Sequence, residues 1–261
     1  MTKKINTKER RDKIKDIIEK EEEVRVPQLA DFFGTSQATI RTDLKEMERA
    51  KLLQRTHGGA ISIGSAYKSY YDTTLKERMN INKEEKQKIA QAGANLVQDG
   101  DTIIIDSGTT SIYLARELSQ KKNLTIVTNA VLVAQELFYN PSIKVILLGG
   151  NVEPGNQFTY GNDTVTQLQK YRANKYLMSI DGISVEHGLT TYHHQELELS
   201  RLMIERSNEV IIVADHSKIG KEGFSNITDI SCVDVIITDK YDSSKPELEA
   251  IREKGIVVIE V

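Results

Sequence analysis

The sequence predicts an α/β protein in two parts, a small, mainly helical N-terminal unit and a larger unit built on a mostly parallel sheet. Two observations carry this. In residues 1–60 apolar residues recur at helical spacing, broken by proline and glycine where helices begin and end. From Asp101 onward, short β-branched runs alternate with helical patterns. Those runs are continuously apolar, as in strands covered on both faces.

Composition sets the outer limits. The 261 residues are 39% hydrophobic and 28% charged, which is ordinary for a globular chain and ample for a core. No apolar run approaches the ~18 residues that a membrane span needs, so no membrane partner is expected. The opening MTKKINTKERRDK lacks the apolar stretch of a signal peptide. The single cysteine, Cys232, lies in the apolar run ISCVDVII and is expected to be a buried core thiol. Together these features point to the cytoplasm. Charge is uneven: residues 1–60 hold 14 Lys and Arg against 11 Asp and Glu, whereas residues 61–261 hold 21 against 27. A basic N-terminal segment on an acidic body suggests a nucleic-acid partner.

Taken in order, the first helix is TKERRDKIKDIIEKEEE, with Arg10, Ile14, Ile17 and Ile18 along one stripe. Pro27 opens a second, short helix, PQLADFFG, which Gly34 ends. Ser36 then caps a third, SQATIRTDLKEMERA. On that helix Ile40, Leu44 and Met47 share the core-facing side, and Gln37, Arg41 and Lys45 form the outward stripe. Two helices, a tight glycine turn and a polar-faced third helix make a helix-turn-helix. The continuation LLQRTHGGAISI places two short β-prone runs around Gly58-Gly59, a hairpin wing with Arg55 and His57 at its base.

Such a unit assigns roles toward double-stranded DNA. Ser36 and Thr39, at a helix N-terminus, suit phosphate oxygens. Gln37 and Arg41 suit base edges, adenine and guanine respectively, and Thr42 suits a thymine methyl or a phosphate. Lys45 continues the outward stripe, while Arg55 and His57 can reach phosphates or the minor groove.

Residues 63–80 read as a linker, in which Tyr67, Tyr70 and Tyr71 either pack the two domains together or lie in solvent. The helix KEEKQKIAQAGANLVQDG is expected to start at a cap on Asn82. Then come seven strand-like runs, DTIIID, LTIVTN, IKVILLGG, KYLMSIDG, EVIIVAD, VDVIITD and GIVVIEV, implying a Rossmann-like sheet. The first six end in Asp106, Asn129, Gly149-Gly150, Asp181, Asp215 and Asp239. Ligands of open α/β sheets bind outside the carboxyl ends of the strands, so these residues mark one rim. DSGTT supplies phosphate chemistry: the amides of Gly108, Thr109 and Thr110 at a helix N-terminus, with hydroxyls from Ser107 and Thr109. It is neither of the glycine-rich nucleotide fingerprints. Lys218, just past another strand end, is placed to neutralise a phosphate.

The spacing from Arg10 through Ile14 and Ile18 to SQATIRTDL and LLQRTHGGA resembles the DeoR family of bacterial transcriptional regulators. Residues 81–261 resemble that family's effector domain through DSGTT, VTNA, LLGG, Tyr160-Gly161, DGIS, GLTT, ADHSK and ITD. That domain is similar to ribose-5-phosphate isomerase, which implies a phosphate loop at Ser107–Thr110, an Asp181-Gly182 pair and a helical Glu196. The resemblance implies a winged helix-turn-helix domain at 1–62, a sugar-phosphate-sensing domain at 81–261, repression relieved by the effector, and a homodimer or homotetramer. Three positions depart from the pattern. Thr42 replaces a basic residue, and Ser200 stands where many members carry lysine. Lys51 stands where a helix-ending glycine is usual, a cost of about 1 kcal/mol in a left-handed site.

The same residues allow two other readings. An isomerase would need a carboxylate base and a carbonyl-polarising donor, roles that Asp181, Glu196, His193 and His194 can supply. A chain that also carries a DNA-binding unit has a plainer use for a phosphate site, so a sensor without catalytic residues or cofactor is expected. His187, His193, His194 and His216 lack the spacing of a metal site, and adjacent extended histidines point to opposite sides.

Overall fold

The computed structural model describes residues 6–21, 23–50, 52–55, 58–61 and 73–261. His57, Lys51, Tyr67, Tyr70 and Tyr71, all singled out in the sequence, lie outside them. Backbone contacts divide the chain into two compact units, 1–73 and 74–261.

In the first unit, α1 (Thr7–Glu21) precedes α2 (Val26–Phe33) and α3 (Gln37–Arg49). Proline sits in the first turn of α2, and Gly34, at φ 59°, ends it. The Ser36 hydroxyl accepts from the Thr39 amide at 3.1 Å and caps α3. Ile14 and Ile18 of α1 pack with Leu29 and Ala30 of α2 and with Ile40, Leu44 and Met47 of α3. The wing has a strand that the sequence hides in its acidic run. Strand β1 (Glu23–Arg25) pairs with β3 (Gly59–Ile61), which pairs in turn with β2 (Gln54–Arg55). Gly59 is therefore a strand residue, not the tip of a turn. A Cβ there would lie 1.8 Å from the Val24 carbonyl oxygen, so only glycine lets β1 and β3 meet.

A buried ion cluster joins α1 to α3. Asp43, on the flank of α3 and 2% exposed, accepts from Arg10 Nε at 2.5 Å and Arg11 Nε at 2.9 Å. The sequence placed Arg10 on the apolar stripe of α1, and its half-buried position there depends on this anion.

The second unit begins earlier than expected. Thr74 and Glu77 form a reciprocal capping box that starts α4 (Leu75–Asn80). Asn82 precedes α5 (Lys83–Asn95) in the left-handed conformation, φ 49°, and its side chain makes no cap. Its Nδ2 instead donates to Asp215 Oδ1 at 2.9 Å, which overrides the expected cap.

All seven predicted strands form: β4 (Thr102–Ile105), β5 (Thr125–Thr128), β6 (Lys144–Leu147), β9 (Ala173–Met178), β12 (Ser207–Val213), β14 (Val235–Thr238) and β15 (Val257–Glu260). They make one sheet of order β15-β14-β12-β9-β4-β5-β6, with every neighbouring pair parallel. Side-chain alternation gives the sheet two cores. Ile104, Val127, Tyr176, Met178, Ile212 and Ile236 face α8 (Asn162–Leu168), α9 (Leu197–Glu205) and α10 (Lys245–Glu253). Ile103, Ile105, Ile126, Leu177, Ile211 and Val213 face α5, α6 (Thr109–Leu118) and α7 (Val131–Leu137).

Two small sheets are additions that the sequence reading lacked. Strands β7 (Asn151–Glu153) and β8 (Phe158–Tyr160) form a hairpin, and β10 (Gly182–Ser184), β11 (Gly188–Thr191) and β13 (Ser225–Thr228) form a three-stranded antiparallel sheet. Cys232 is half-buried rather than buried, because it ends a short 3-10 turn at the margin of the first core. Burial still pushes its thiol up to about 11, which leaves it unreactive.

Candidate functional site

The strand order fixes where a ligand belongs. The chain steps outward from β4 to β5 and β6, then returns with β9 on the other side of β4. The crevice between the carboxyl ends of β4 and β9 is the topological switch point of the sheet. Asp106, Ser107 and Gly108 leave β4 on one side of it, and Ser179, Ile180 and Asp181 leave β9 on the other.

Gly108 lets these two strand ends touch: a Cβ on it would lie 2.6 Å from Ser179 Cβ and 2.4 Å from Ser179 Oγ. Gly108 is also the N-cap residue of α6, so the first-turn amides, including those of Thr109 and Thr110, have no partner within the helix. Thr109 is half-buried and Thr110 buried. Asp106 is turned inward. Its carboxylate accepts from Tyr176 OH at 2.8 Å, the Ser179 amide at 2.9 Å and Ser111 Oγ at 3.0 Å, and burial pushes its pKa up to about 7. It clamps β4 to β9 and has its oxygens committed to protein donors.

Glu196 gathers the next group. It lies in a 3-10 turn (His194–Glu196) that runs directly into α9, of which it is the N-cap residue. Ser107 Oγ donates to it at 2.9 Å and Asn129 Nδ2 at 2.7 Å. Asn129 Nδ2 also reaches the Thr159 carbonyl at 3.1 Å, and its Oδ1 is buried with no partner among the described residues. Burial pushes the Glu196 carboxyl up to about 8, against the hydrogen bonds from Asn129 and Ser107, which favour the anion. At neutral pH the group is therefore mostly a neutral acid. A protonated carboxyl can donate a hydrogen bond as well as accept one.

Across the crevice, Asp181 accepts from Thr191 Oγ1 and the Tyr192 amide, each at 3.0 Å. Burial alone would raise its pKa, but the Lys218 charge, helped by His193 and the two hydrogen bonds, holds it below the ordinary value. The Lys218 charge thus favours the ionised form of Asp181, and of Asp215 in the same way. It is carried on a 3-10 turn (His216–Lys218) that two of the predicted rim acids build. Asp215 caps the turn through the Ser217 amide, while Asp239 takes the His216 amide at 2.7 Å and Nδ1 at 2.6 Å. The His216 ring stacks on Tyr241 with centroids 3.9 Å apart.

The structure therefore brings together Ser107, Asn129 and Glu196, and puts Asp181 under the influence of the Lys218 charge. Gly150 is exposed after edge strand β6, and a Cβ on it would lie 2.7 Å from the Tyr160 carbonyl oxygen. Ser200 is buried on α9, so no cation reaches the crevice from that position. His193 is buried edge-on to Phe158 whereas His194 is exposed. Among the described residues no group of three His, Cys, Asp or Glu could hold a metal ion, and no helix is long and apolar enough to cross a membrane.

In the N-terminal unit, Gln37, Arg41, Thr42 and Lys45 are exposed on α3. Arg41 Nη2 donates to Gln37 Oε1 at 3.1 Å, which pre-orders the two base-reading candidates as a pair. The Thr42 hydroxyl turns back to the Ala38 carbonyl at 3.0 Å, leaving its methyl group the outward part. Ser36 and Thr39 share a hydroxyl contact of 2.9 Å within the cap. Arg55 stands beside Glu48, with Nη1 at 3.8 Å from Oε2 and its backbone amide donating to Oε1 at 2.9 Å. Sequence reasoning missed Asp43, Lys86 and the true partner of Asn82, because each acts across a gap with no local pattern.

Comparison with known proteins gives two family matches. The model of the DeoR-like helix-turn-helix domain matches residues 10–66, and that of the DeoR C-terminal sensor domain matches residues 81–240. The chain is 35% identical over 231 residues to the HTH-type transcriptional regulator GolR of Listeria innocua, covering 88% of this chain and 90% of that one. It is 33% identical over 229 residues to the transcriptional repressor GlcR of Bacillus subtilis, covering 87% and 86%. With the glycerol-3-phosphate regulon repressor of Escherichia coli it shares 32% over 231 residues, covering 88% and 90%. A ribose 5-phosphate isomerase A from Methanocaldococcus jannaschii aligns over 52% of this chain and 54% of its own at TM-score 0.39 and 16% identity, too slight a likeness to bear on function.

Proposed function

Because the chain belongs to the DeoR family of DNA-binding transcriptional regulators, we propose that it represses an operon of carbohydrate metabolism and releases its operator when a phosphorylated sugar fills the switch-point crevice. The observation that carries this reading is the pairing of two chemistries in one crevice. Open amides at the start of α6, with Lys218 nearby, suit a phosphate. Glu196 as a neutral acid, together with the unpartnered Asn129 Oδ1, suits the donors and acceptors of sugar hydroxyls. Relatives named as a glycerol-3-phosphate regulon repressor and a putative aga operon repressor support a carbohydrate setting. On α3, Gln37 and Arg41 read base edges and the Thr42 methyl meets a thymine methyl, Ser36 and Thr39 hold phosphates, Lys45 extends the outward stripe, and Arg55 and His57 reach phosphates or the minor groove. The protein works in the cytoplasm as a homodimer or homotetramer on paired half-sites, since one small winged unit makes few contacts.

Control requires that the effector bind the low-affinity DNA state better than the other, because equal affinity shifts nothing. The test is a thermal-shift screen of sugar phosphates against their unphosphorylated counterparts. A phosphosugar at 100 times its Kd adds about 2.7 kcal/mol of stability and stays chemically unchanged. Equal shifts from the unphosphorylated sugars would refute the phosphate assignment, and turnover at about 1 per second or faster would refute a pure sensor.

A further inference from the structure

The helix that begins the second unit is held by its trailing carbonyls, and the holding group leads back to the rim. Lys86 on α5 is 5% exposed, and its Nζ donates to the carbonyls of Arg78 and Ile81, each at 2.8 Å. Between them, Met79 of α4 gives its carbonyl to Tyr113 OH at 3.0 Å, from the helix that starts at Thr109. Lys86 also stands 3.9 Å from Asp215 Oδ2, with both side chains buried. Asp215 is the carboxylate that caps the Lys218 turn, and its other oxygen takes Asn82 Nδ2. Buried Lys86 thus has one ammonium shared between two helix-end carbonyls and an anion that Lys218 also neutralises. The lysine that holds α4 and the turn that carries Lys218 therefore meet at one carboxylate.

We propose that Lys86 is a positioning residue that transmits occupancy of the rim to α4, the first element after residues 62–72. An anion that pairs with Lys218 pulls on the turn that Asp215 caps and swings that carboxylate toward Lys86. The 3.9 Å separation closes, Nζ lets go of the Arg78 and Ile81 carbonyls, and the last turn of α4 loosens. This rests on the reading that Lys218 holds the phosphate of the effector. It adds how that event leaves the crevice toward the DNA-binding unit.

The experiment is hydrogen exchange on the full chain, with saturating inorganic phosphate against chloride at equal ionic strength, alongside melting curves. In wild type, phosphate raises Tm and speeds exchange at the amides of Arg78 to Ile81 by about tenfold. Lys86→Met keeps the rise in Tm, but its α4 amides exchange fast in both salts. Lys86→Gln, which can donate to a carbonyl without pairing to Asp215, keeps them slow in both and stands in if the methionine variant fails to fold. A rise in Tm with no change at residues 78–81 would overturn the relay and leave the phosphate reading intact. No rise in wild type, or a rise that survives Lys218→Ala, would remove that reading and the relay with it. A tenfold response retained in either Lys86 variant would also overturn the relay.

Discussion

Replacing Asp43 with alanine tests whether a buried anion holds the DNA-reading helix in place. The carboxylate binds two guanidinium groups of unequal exposure: Arg10 is 11% exposed and Arg11 is 32%. Truncation leaves the Arg10 charge in the interior with no counter-ion, a cost of about 3–5 kcal/mol. Arg11 can swing into water, so losing its bond adds at most about 1 kcal/mol. A unit the size of residues 1–62 has roughly 3–9 kcal/mol of stability in total, at ~0.05–0.15 kcal/mol per residue. Asp43→Ala should therefore bring the first unit to the edge of unfolding while the sheet domain stays intact. Two observables follow in the full chain: melting splits into two transitions, and core amides such as those of Ile14 and Leu44 lose protection. Operator binding in a gel shift falls with them. Replacing all three charged residues together (Arg10→Met, Arg11→Met and Asp43→Leu) should restore much of the stability, because an apolar set avoids the desolvation cost. Wild-type protection of Leu44 in Asp43→Ala would refute the clamp.

Other substitutions and conditions probe separate links. Arg41→Ala should leave the fold unchanged, since the residue is exposed, and relax discrimination at one operator position by about 1–3 kcal/mol; unchanged sequence preference in a gel-shift series would discard it as a base reader. Gly59→Ala should disrupt the wing because its Cβ would overlap a backbone oxygen, whereas Gly58→Ala, with nothing within 4 Å, should be tolerated. Amide protection of β1 in the two variants separates these outcomes. For pH, burial raises the folded-state pKa of Glu196 from 4.5 to about 8. The folded state therefore binds that proton more tightly, and the stabilisation is complete below 4.5 and is lost as pH rises through 8. Asp106, raised from 3.8 to about 7, adds to the loss over the lower part of that range. Stability should fall with pH at up to about 1.4 kcal/mol per unit per group, and Glu196→Gln should flatten the slope; a variant with the wild-type slope would assign it elsewhere.

Much of the architecture was legible because its signals are local. Pro27, Gly34 and Ser36 mark helix ends through their own backbone chemistry, and the seven parallel strands announce themselves by unbroken apolar runs. The rim followed from topology once the strands were found. What the sequence hid depends on pairing at a distance. Strand β1 is three residues, Glu23–Arg25, at the end of a run of glutamates, stabilised only when Gly59 arrives opposite Arg25. Asn82 resembles a cap but prefers a carboxylate 133 residues away. The strand-end acids looked alike in sequence and differ in the fold, because Asp106, Asp215 and Asp239 spend their oxygens on protein donors. Asp181 shows the limit from the other side: its pattern predicts a rim position, but its hydrogen bonds from Thr191 and the Tyr192 amide emerge only from the packed structure.

The sheet order carries a consequence for biogenesis. Strand β4 is central, yet one of its two neighbours, β9, is encoded far downstream, with Ile103 opposite Lys175. On the ribosome, β4, β5 and β6 can pair while one edge of β4 still has bare amides and carbonyls. At ~5–20 residues per second, that edge waits on the order of 4–14 seconds for its partner to be made. The waiting strand is Thr102–Ile105, four β-branched residues with no charge, the composition that most readily recruits a second nascent chain. Chains arrested after residue 150 should therefore aggregate through this strand, and slower translation across residues 106–172 should lower the yield of folded protein.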